Sequence, residues 1–259
     1  MNGTIKSSAF WRDRLKASSI HLLASLLLAA LAAALVFGVW YPYPYREISG
    51  GRELFWLVVG VDVVMGPLIT LAVFNRRKPP AELKRDLAIV ALLQLGALAY
   101  GLWAVSVARP VHLVFEVDRF RVVHAIDVPA DFLEKTPSGI EALPLTGPTL
   151  LATRPFRDSQ EAADATMAAL QGLQLGFRPE LWQPYANAKA EILKEAKPVS
   201  ELKTRFANRA SEMDRVIQDA GGNPKTALYL PLVSRDHFWT VFLDPANAHI
   251  VATMPLDPF

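Results

Sequence analysis

Three unbroken apolar runs, residues 20–40, 54–74 and 87–107, set the pattern of the first 107 positions. Each is about 21 residues long. At 1.5 Å rise per residue, that spans the ~30 Å hydrocarbon layer of a bilayer as a helix. Asp62 is the only formally charged residue within them. Buried helices of a soluble protein seldom show three such runs in succession, so the pattern predicts three transmembrane helices. The first run continues to Trp40, well past the roughly 7 to 15 apolar residues of a signal peptide, and is expected to remain as an uncleaved signal anchor.

Beyond residue 109 the periodicity changes. VHLVFEV (111–117) and FRVVHAI (120–126) are β-branched and aromatic, and Asp118-Arg119 between them predicts a hairpin. A helix is expected to open at Asp158 with a capping box closed by Glu161, burying Ala163, Met167 and Leu170. One or two further helices follow from Pro179, with Pro184 opening the second piece. The longest helix of this region is expected over 200 to about 220, with Leu202, Phe206, Met213, Val216 and Ile217 on one face and Gly221-Gly222 as its stop. Strand patterns then return in TALYLPLV, HFWTVFL and HIVATMPL. Strands at both ends with helices between predict a C-terminal soluble α+β domain with an antiparallel sheet. The expected layout is a tail (1–19), a three-helix transmembrane domain (20–108) and the α+β domain (109–259).

Charge gives the spans a direction. Up to Arg109 there are 12 Lys/Arg and 6 Asp/Glu, and from Pro110 onward 15 and 19, which together give the chain's 27 and 25. Nine basic residues lie in the N-terminal tail and the second connection, against Arg46 and Arg52 in the first connection. Basic residues beside a span are retained in the cytoplasm. The tail and second connection are therefore expected inside and the α+β domain outside, in the periplasm of a Gram-negative cell. The acidic balance of that domain speaks against a nucleic-acid partner. The chain has no cysteine, which removes disulfides, thiolate metal sites and a cysteine nucleophile.

Asp62 is the most informative residue. It lies roughly 12 Å into the bilayer by helical rise, where a carboxylate is costly and usually functional or paired. Gln94 and Thr70 are its candidate partners within the chain, and protonation is the alternative. Either it anchors another transmembrane segment, or it bonds internally and holds the three helices together. Gly66-Pro67 below it is expected to kink or loosen the second span. Ala30/Ala34, Ala34/Gly38 and Ala97/Gly101 are small-residue pairs suited to close helix contact. YPYPYRE (41–47) reads as an aromatic belt at the membrane interface, or as a stiff ledge presenting Tyr43, Tyr45 and Arg46 to a partner.

Enzyme chemistry finds little support. The five histidines have no metal-ligand spacing, and no HExxH, nucleophile elbow or phosphate-binding glycine loop appears. Ser234, Asp236 and His237 are better read as a turn than as a triad. No cofactor, no metal and no catalytic residue is expected.

The blocks VWYPYPYREISGGRELFWLVVGVDVVMGPLITLAVFN (39–75), LVFEVDRFRVV (113–123), RPELWQPYA (178–186) and LYLPLVSRDHFWTVFLDPANAHIVATMPLDPF (228–259) resemble the TfpX/TfpZ family of type IV pilin accessory proteins, in order and over most of the chain. The resemblance implies a non-enzymatic inner-membrane protein that acts with a particular major pilin, without cofactor. On this reading Asp62, Gly66, Pro67, Tyr43, Tyr45 and Arg46 are the expected partner-binding residues. A membrane-tethered periplasmic sensor and a pilin- or envelope-modifying enzyme are the alternatives; the small cytoplasmic segments leave a sensor little room for an output domain.

Overall fold

The structure, a computed structural model, describes residues 2–235 and 237–259. The chain forms two units, one of Met1–Val39 with Gly50–Val107 and the other of Trp40–Ser49 with Ala108–Phe259. The connection between the first two apolar runs therefore belongs with the α+β unit rather than with the helices that flank it.

In chain order the first elements are α1 (Asn2–Leu35), which runs on into a π-helical turn (Val36–Trp40), then α2 (Tyr45–Ile48), α3 (Gly51–Val73) and α4 (Pro80–Val107). The helices α1, α3 and α4 are long and apolar enough to cross a membrane. Each presents most of its large side chains outward: Leu23, Leu57 and Leu92 are among the exposed ones. That distribution suits lipid as the solvent, where helices associate through close packing and polar contacts rather than apolar burial. Small residues do this work. A Cβ on Gly101 of α4 would lie 2.3 Å from Val58 of α3, so Gly101 is a close-contact site; its expected companion Ala97 is exposed, and Gly38 has nothing within 4 Å of its would-be Cβ. Arg14 closes the end of α3, with Nε donating to the Phe74 carbonyl at 2.7 Å and Nη2 to that of Ala72 at 3.0 Å. Both are groups of a helix terminus that lacks intrahelical donors.

The second unit is built on β1 (Pro110–Glu116), β2 (Arg119–His124), β3 (Thr149–Thr153), α5 (Ser159–Leu170), β4 (Trp182–Pro184), α6 (Lys189–Glu195), β5 (Lys197–Pro198), α7 (Val199–Arg205), α8 (Ala210–Asp219), β6 (Leu228–Val233), β7 (Phe238–Leu243) and β8 (Ile250–Met254). All eight strands join one sheet in the order β4-β3-β1-β2-β6-β7-β8, with β5 added to the edge of β6 beside β2. The sheet is mostly antiparallel; β1 with β3 and β2 with β6 are its parallel pairs. Alternation along the strands serves two faces. Leu230, Leu232, Val241 and Leu243 point to a core shared with Phe115, Phe120 and Ile192. Tyr229 and Phe242 point to the opposite one, covered by Leu202, Met213 and Ile217. Two covered faces explain why β1 reads as one apolar run, with all seven of its residues buried.

Five local expectations are corrected. The hairpin turns at Val117-Asp118, pairing Glu116 with Arg119, one residue earlier than expected. Val117 sits at φ 49°, a left-handed conformation that costs a residue with a Cβ roughly 1–2 kcal/mol. The exposed Val117→Asn variant is expected to raise the melting temperature by a few degrees, and an unchanged value would show that the turn is unstrained. Asp158 caps α5 by accepting from the Glu161 amide at 2.8 Å, but the Glu161 carboxylate turns to the Arg157 amide and the Arg154 guanidinium instead of closing the box. The same helix buries Ala165 and leaves Met167 and Leu170 exposed, because its alanine side permits the closer approach. Pro184 ends a short strand and caps the 3-10 turn Tyr185–Ala188 that leads into α6, so it stands just before the helical piece rather than as its first residue. The helix expected over 200–220 is split at Phe206 into α7 and α8. Its apolar face is as expected, yet Arg205 and Arg209 donate to the carbonyls of Pro258, Phe259 and Pro255, so tertiary bonds to the C-terminal tail fix the two halves separately.

Candidate functional site

Within the helical unit, α1, α3 and α4 line a partly open cavity of about 200 Å³. Its wall is apolar except for His21 and Ser25 from α1, Asp62 from α3 and Gln94 from α4. Two features of α3 shape it. A Cβ on Gly66 would lie 1.9 Å from Gln94 Nε2, so glycine is what lets Gln94 approach. Pro67, inside the helix, has no N–H to give to the carbonyl four residues earlier, that of Val63. The Ser18 hydroxyl donates to the Pro67 carbonyl at 2.9 Å.

The polar groups pair in a way the sequence did not suggest. Gln94 Nε2 donates to the backbone carbonyl of Asp62 at 3.2 Å, and the Thr70 hydroxyl is taken by His21 Nδ1 at 2.5 Å. Neither expected partner reaches the Asp62 carboxylate, which has no hydrogen bond or ion pair among the described residues. An unpaired carboxylate lining a cavity between three membrane helices is the most reactive feature of this unit, because in hydrocarbon it must be protonated or find a donor. Gly66 and Pro67 are both buried and serve the bundle's own packing, which leaves Asp62 alone of that trio facing the cavity. His21, Ser18 and Ser25 were not anticipated as part of the cluster. Their signal is the same as that of Asp62: polar side chains in an otherwise apolar span.

The Tyr-Pro segment lies in the other unit. Tyr41 is fully buried, and burial raises its phenol pKa against the opposing influence of Arg235 and Arg109. Tyr45 packs on the sheet's core beside the buried Ile48, and its phenol too is pushed up by burial. A lipid-facing belt needs exposed rings, so for these two tyrosines the belt reading is replaced by a structural one. Tyr43 remains 58% exposed, with the Arg46 guanidinium 5.6 Å from its ring centre, and Arg46 lies 3.6 Å from Glu47. Of the expected ledge, Tyr43 and Arg46 are at the surface and Tyr45 is not.

The histidines of this unit hold structure together. His112 is fully buried, with Nε2 on the Ala142 carbonyl at 2.9 Å, Nδ1 on the Thr149 hydroxyl at 2.6 Å and the Trp182 ring edge-on at 4.4 Å. Burial pushes its pKa down to about 4. The unfolded chain binds a proton near pH 6.5 that the folded chain refuses until about pH 4. Stability is therefore complete above pH 6.5 and declines as pH falls through that window, by about 3 kcal/mol in all. Urea midpoints at pH 7, 5.5 and 4.5 test this, since the non-titrating His112→Gln variant should show the shallower decline; equal slopes would remove His112 as the cause. His124 Nδ1 bonds Asp127 Oδ2 at 2.8 Å, and Arg235 reaches the other oxygen at 3.2 Å. Ser234 is buried against the Ser49 hydroxyl at 3.4 Å while its amide donates to the His237 carbonyl, as in a turn. Asp236 lies outside the described residues. Among the described residues no three potential ligands gather as they would for a metal ion.

Fold and cavity together define an integral membrane protein whose helical unit has a largely apolar pocket carrying a few polar groups, with an α+β domain besides. Comparison with known proteins narrows this. The chain is 37% identical over 246 residues to the fimbrial assembly protein of serogroup I of Dichelobacter nodosus, covering 94% of this chain and 95% of that relative. It is 36% identical over the same length to the serogroup E1 protein, with the same coverage. The protein of serogroups C1 and C2 matches at 44% over 118 residues, which is 46% of this chain and 90% of that relative. The family description of the fimbrial assembly protein FimB matches residues 9–50. This chain belongs to the fimbrial assembly protein family, in agreement with its resemblance to type IV pilin accessory proteins. No solved structure matches it.

Proposed function

We propose that this chain is a non-enzymatic accessory protein of type IV pilus biogenesis, which assists a cognate major pilin held in the inner membrane before assembly. The observation that carries this reading is kinship along nearly the whole chain with proteins named for fimbrial assembly. The excess of Lys and Arg in the tail and second connection supports a cytoplasmic N-terminus and a periplasmic α+β domain. A pilin that waits in the bilayer as a single helix presents polar groups that need partners there. The Asp62 carboxylate, open to the cavity and free of internal bonds among the described residues, is the group we assign to that contact. Tyr43 and Arg46 form a second, extramembrane contact.

Photo-crosslinkers placed at positions 62 and 43 in living cells are expected to capture the pilin. Asp62→Ala is expected to reduce capture roughly three- to fifteenfold, the range of a single interhelical hydrogen bond in a membrane, with fewer surface pili. Unchanged capture and piliation in that variant would dismiss the intramembrane contact. A pilin mass change that disappears on deletion of this protein would replace the escort reading with an enzymatic one.

A further inference from the structure

Where α1 passes the end of α3, Phe10, Asp13, Arg14, Asn75, Arg76 and Arg77 border a second cavity, of about 480 Å³. Three of these six are cations. Arg76 Nε lies 3.8 Å from the Asp13 carboxylate, so the one acidic group is matched by the one cation nearest it. Arg14 and Arg77 have no carboxylate partner among the described residues. Both nevertheless converge on a single ring: their guanidinium carbons lie 4.5 and 5.4 Å from the Phe10 centroid. Two like charges gathered over one ring at the rim of an apolar bundle repel each other, and the repulsion grows as the local dielectric falls. An anion seated between them reverses its sign.

The position of the cavity says which anion. Arg14 is bonded to the carbonyls of Ala72 and Phe74, so the cavity sits where the apolar span ends, at the depth of lipid headgroups. Beside it on α1, Trp11 and Leu15 are 51% and 55% exposed, and the Trp11 ring touches that of Phe10. A free inorganic anion would have no use for such apolar neighbours; an acyl chain would. Guanidinium groups bind phosphate oxygens through paired, charge-assisted hydrogen bonds, and the ammonium of a zwitterionic headgroup would be repelled by the same cations.

We propose that this cavity binds the phosphate of an anionic phospholipid, with Arg77 and Arg14 as the contacting cations and Phe10 as the platform that spaces them. The site is separate from the Asp62 cavity and does not depend on the pilin reading. Arg14 also closes α3, so Arg77, whose side chain makes no hydrogen bond among the described residues, is the better group to change.

Native mass spectrometry of the full chain in detergent tests the proposal, with titrations of dioctanoyl phosphatidylglycerol, dioctanoyl phosphatidylcholine and inorganic phosphate. One phosphatidylglycerol is expected to be retained about tenfold more tightly than phosphatidylcholine, and Arg77→Gln is expected to weaken it roughly fivefold, the effect of one basic residue at an anionic surface. Phe10→Leu, which leaves every charge in place, should weaken it as well. Equal retention of the two lipids would overturn the proposal, as would wild-type binding by both variants. Displacement of the lipid by inorganic phosphate at matched concentration would likewise overturn it, showing a free-anion site instead.

Discussion

Excised as residues 108–259, the α+β unit is expected to aggregate or remain molten, although it contains every strand of the sheet. The missing piece is the segment between the first two membrane helices. Tyr41 and Ile48 from that segment are fully buried, and Tyr45 packs on the sheet core that holds Ile48. Removing three such side chains forfeits about 1.5–3 kcal/mol each, about 4.5–9 kcal/mol together, which is comparable with the whole stability of a typical domain. Attaching residues 40–49 through a flexible linker should restore a cooperative melt and dispersed amide resonances. In the full chain, Ile48→Ala alone should cost about 2–5 kcal/mol. A well-folded 108–259 fragment would show that the segment merely rests on the domain.

Glu116→Ala is expected to destabilise the domain by about 3–5 kcal/mol, the cost of leaving one partner of a buried ion pair alone. Glu116 is 5% exposed and accepts from Arg121 Nε at 2.7 Å and from the Gly176 amide. Arg121 in turn reaches Gln174 and lies over the Phe177 ring, and the Gly176 carbonyl accepts from Trp182 Nε1 at 2.8 Å. One carboxylate thus joins the first hairpin to the turn that seats Trp182. A Cβ on Gly176 would stand 2.8 Å from the Glu116 oxygen, so Gly176→Ala should reproduce part of the loss. The paired replacement Glu116→Leu with Arg121→Met should recover much of it, because two apolar groups leave no stranded charge. Denaturant midpoints measure all three. If the double variant is no better than Glu116→Ala, the loss lies in the bond to Gly176 rather than in the uncompensated arginine.

The parts of the molecule that local pattern dictates were legible in the sequence. Three apolar runs of bilayer length became three helices, and the strands at either end of the α+β domain appear within a residue or two of expectation. Asp62 stood out because a charge in an apolar run has no ordinary explanation. Features set by contacts distant in sequence were not legible. Nothing local marks a break at Phe206, where Arg205 and Arg209 on either side bond to the C-terminal tail. Met167 and Leu170 read as a buried stripe because apolar spacing does not reveal that α5 packs through its alanines. Tyr41 and Tyr45 read as interfacial because tyrosine beside a span usually is, and only the assembled sheet shows that they have a core to enter. Thr70 was assigned to Asp62 by position along one helix, while His21 on another claims it.

The Tyr41–Ser49 segment also sets a timetable. Ser49 meets Ser234 across 185 positions of sequence, and Ile48 shares its core with β6 and β7, two of the last three strands made. Such non-local contacts close late, so a growing chain must carry these side chains uncovered until its final strands arrive. A ribosome that stops before residue 228 leaves a product with an open core and an exposed tyrosine-rich strip, and such incomplete chains are the ones that aggregate or are cleared by proteases. Completion of the β6–β7 hairpin is therefore the step that hides the strip, and a chain truncated ahead of it should be short-lived even though all three membrane helices are present.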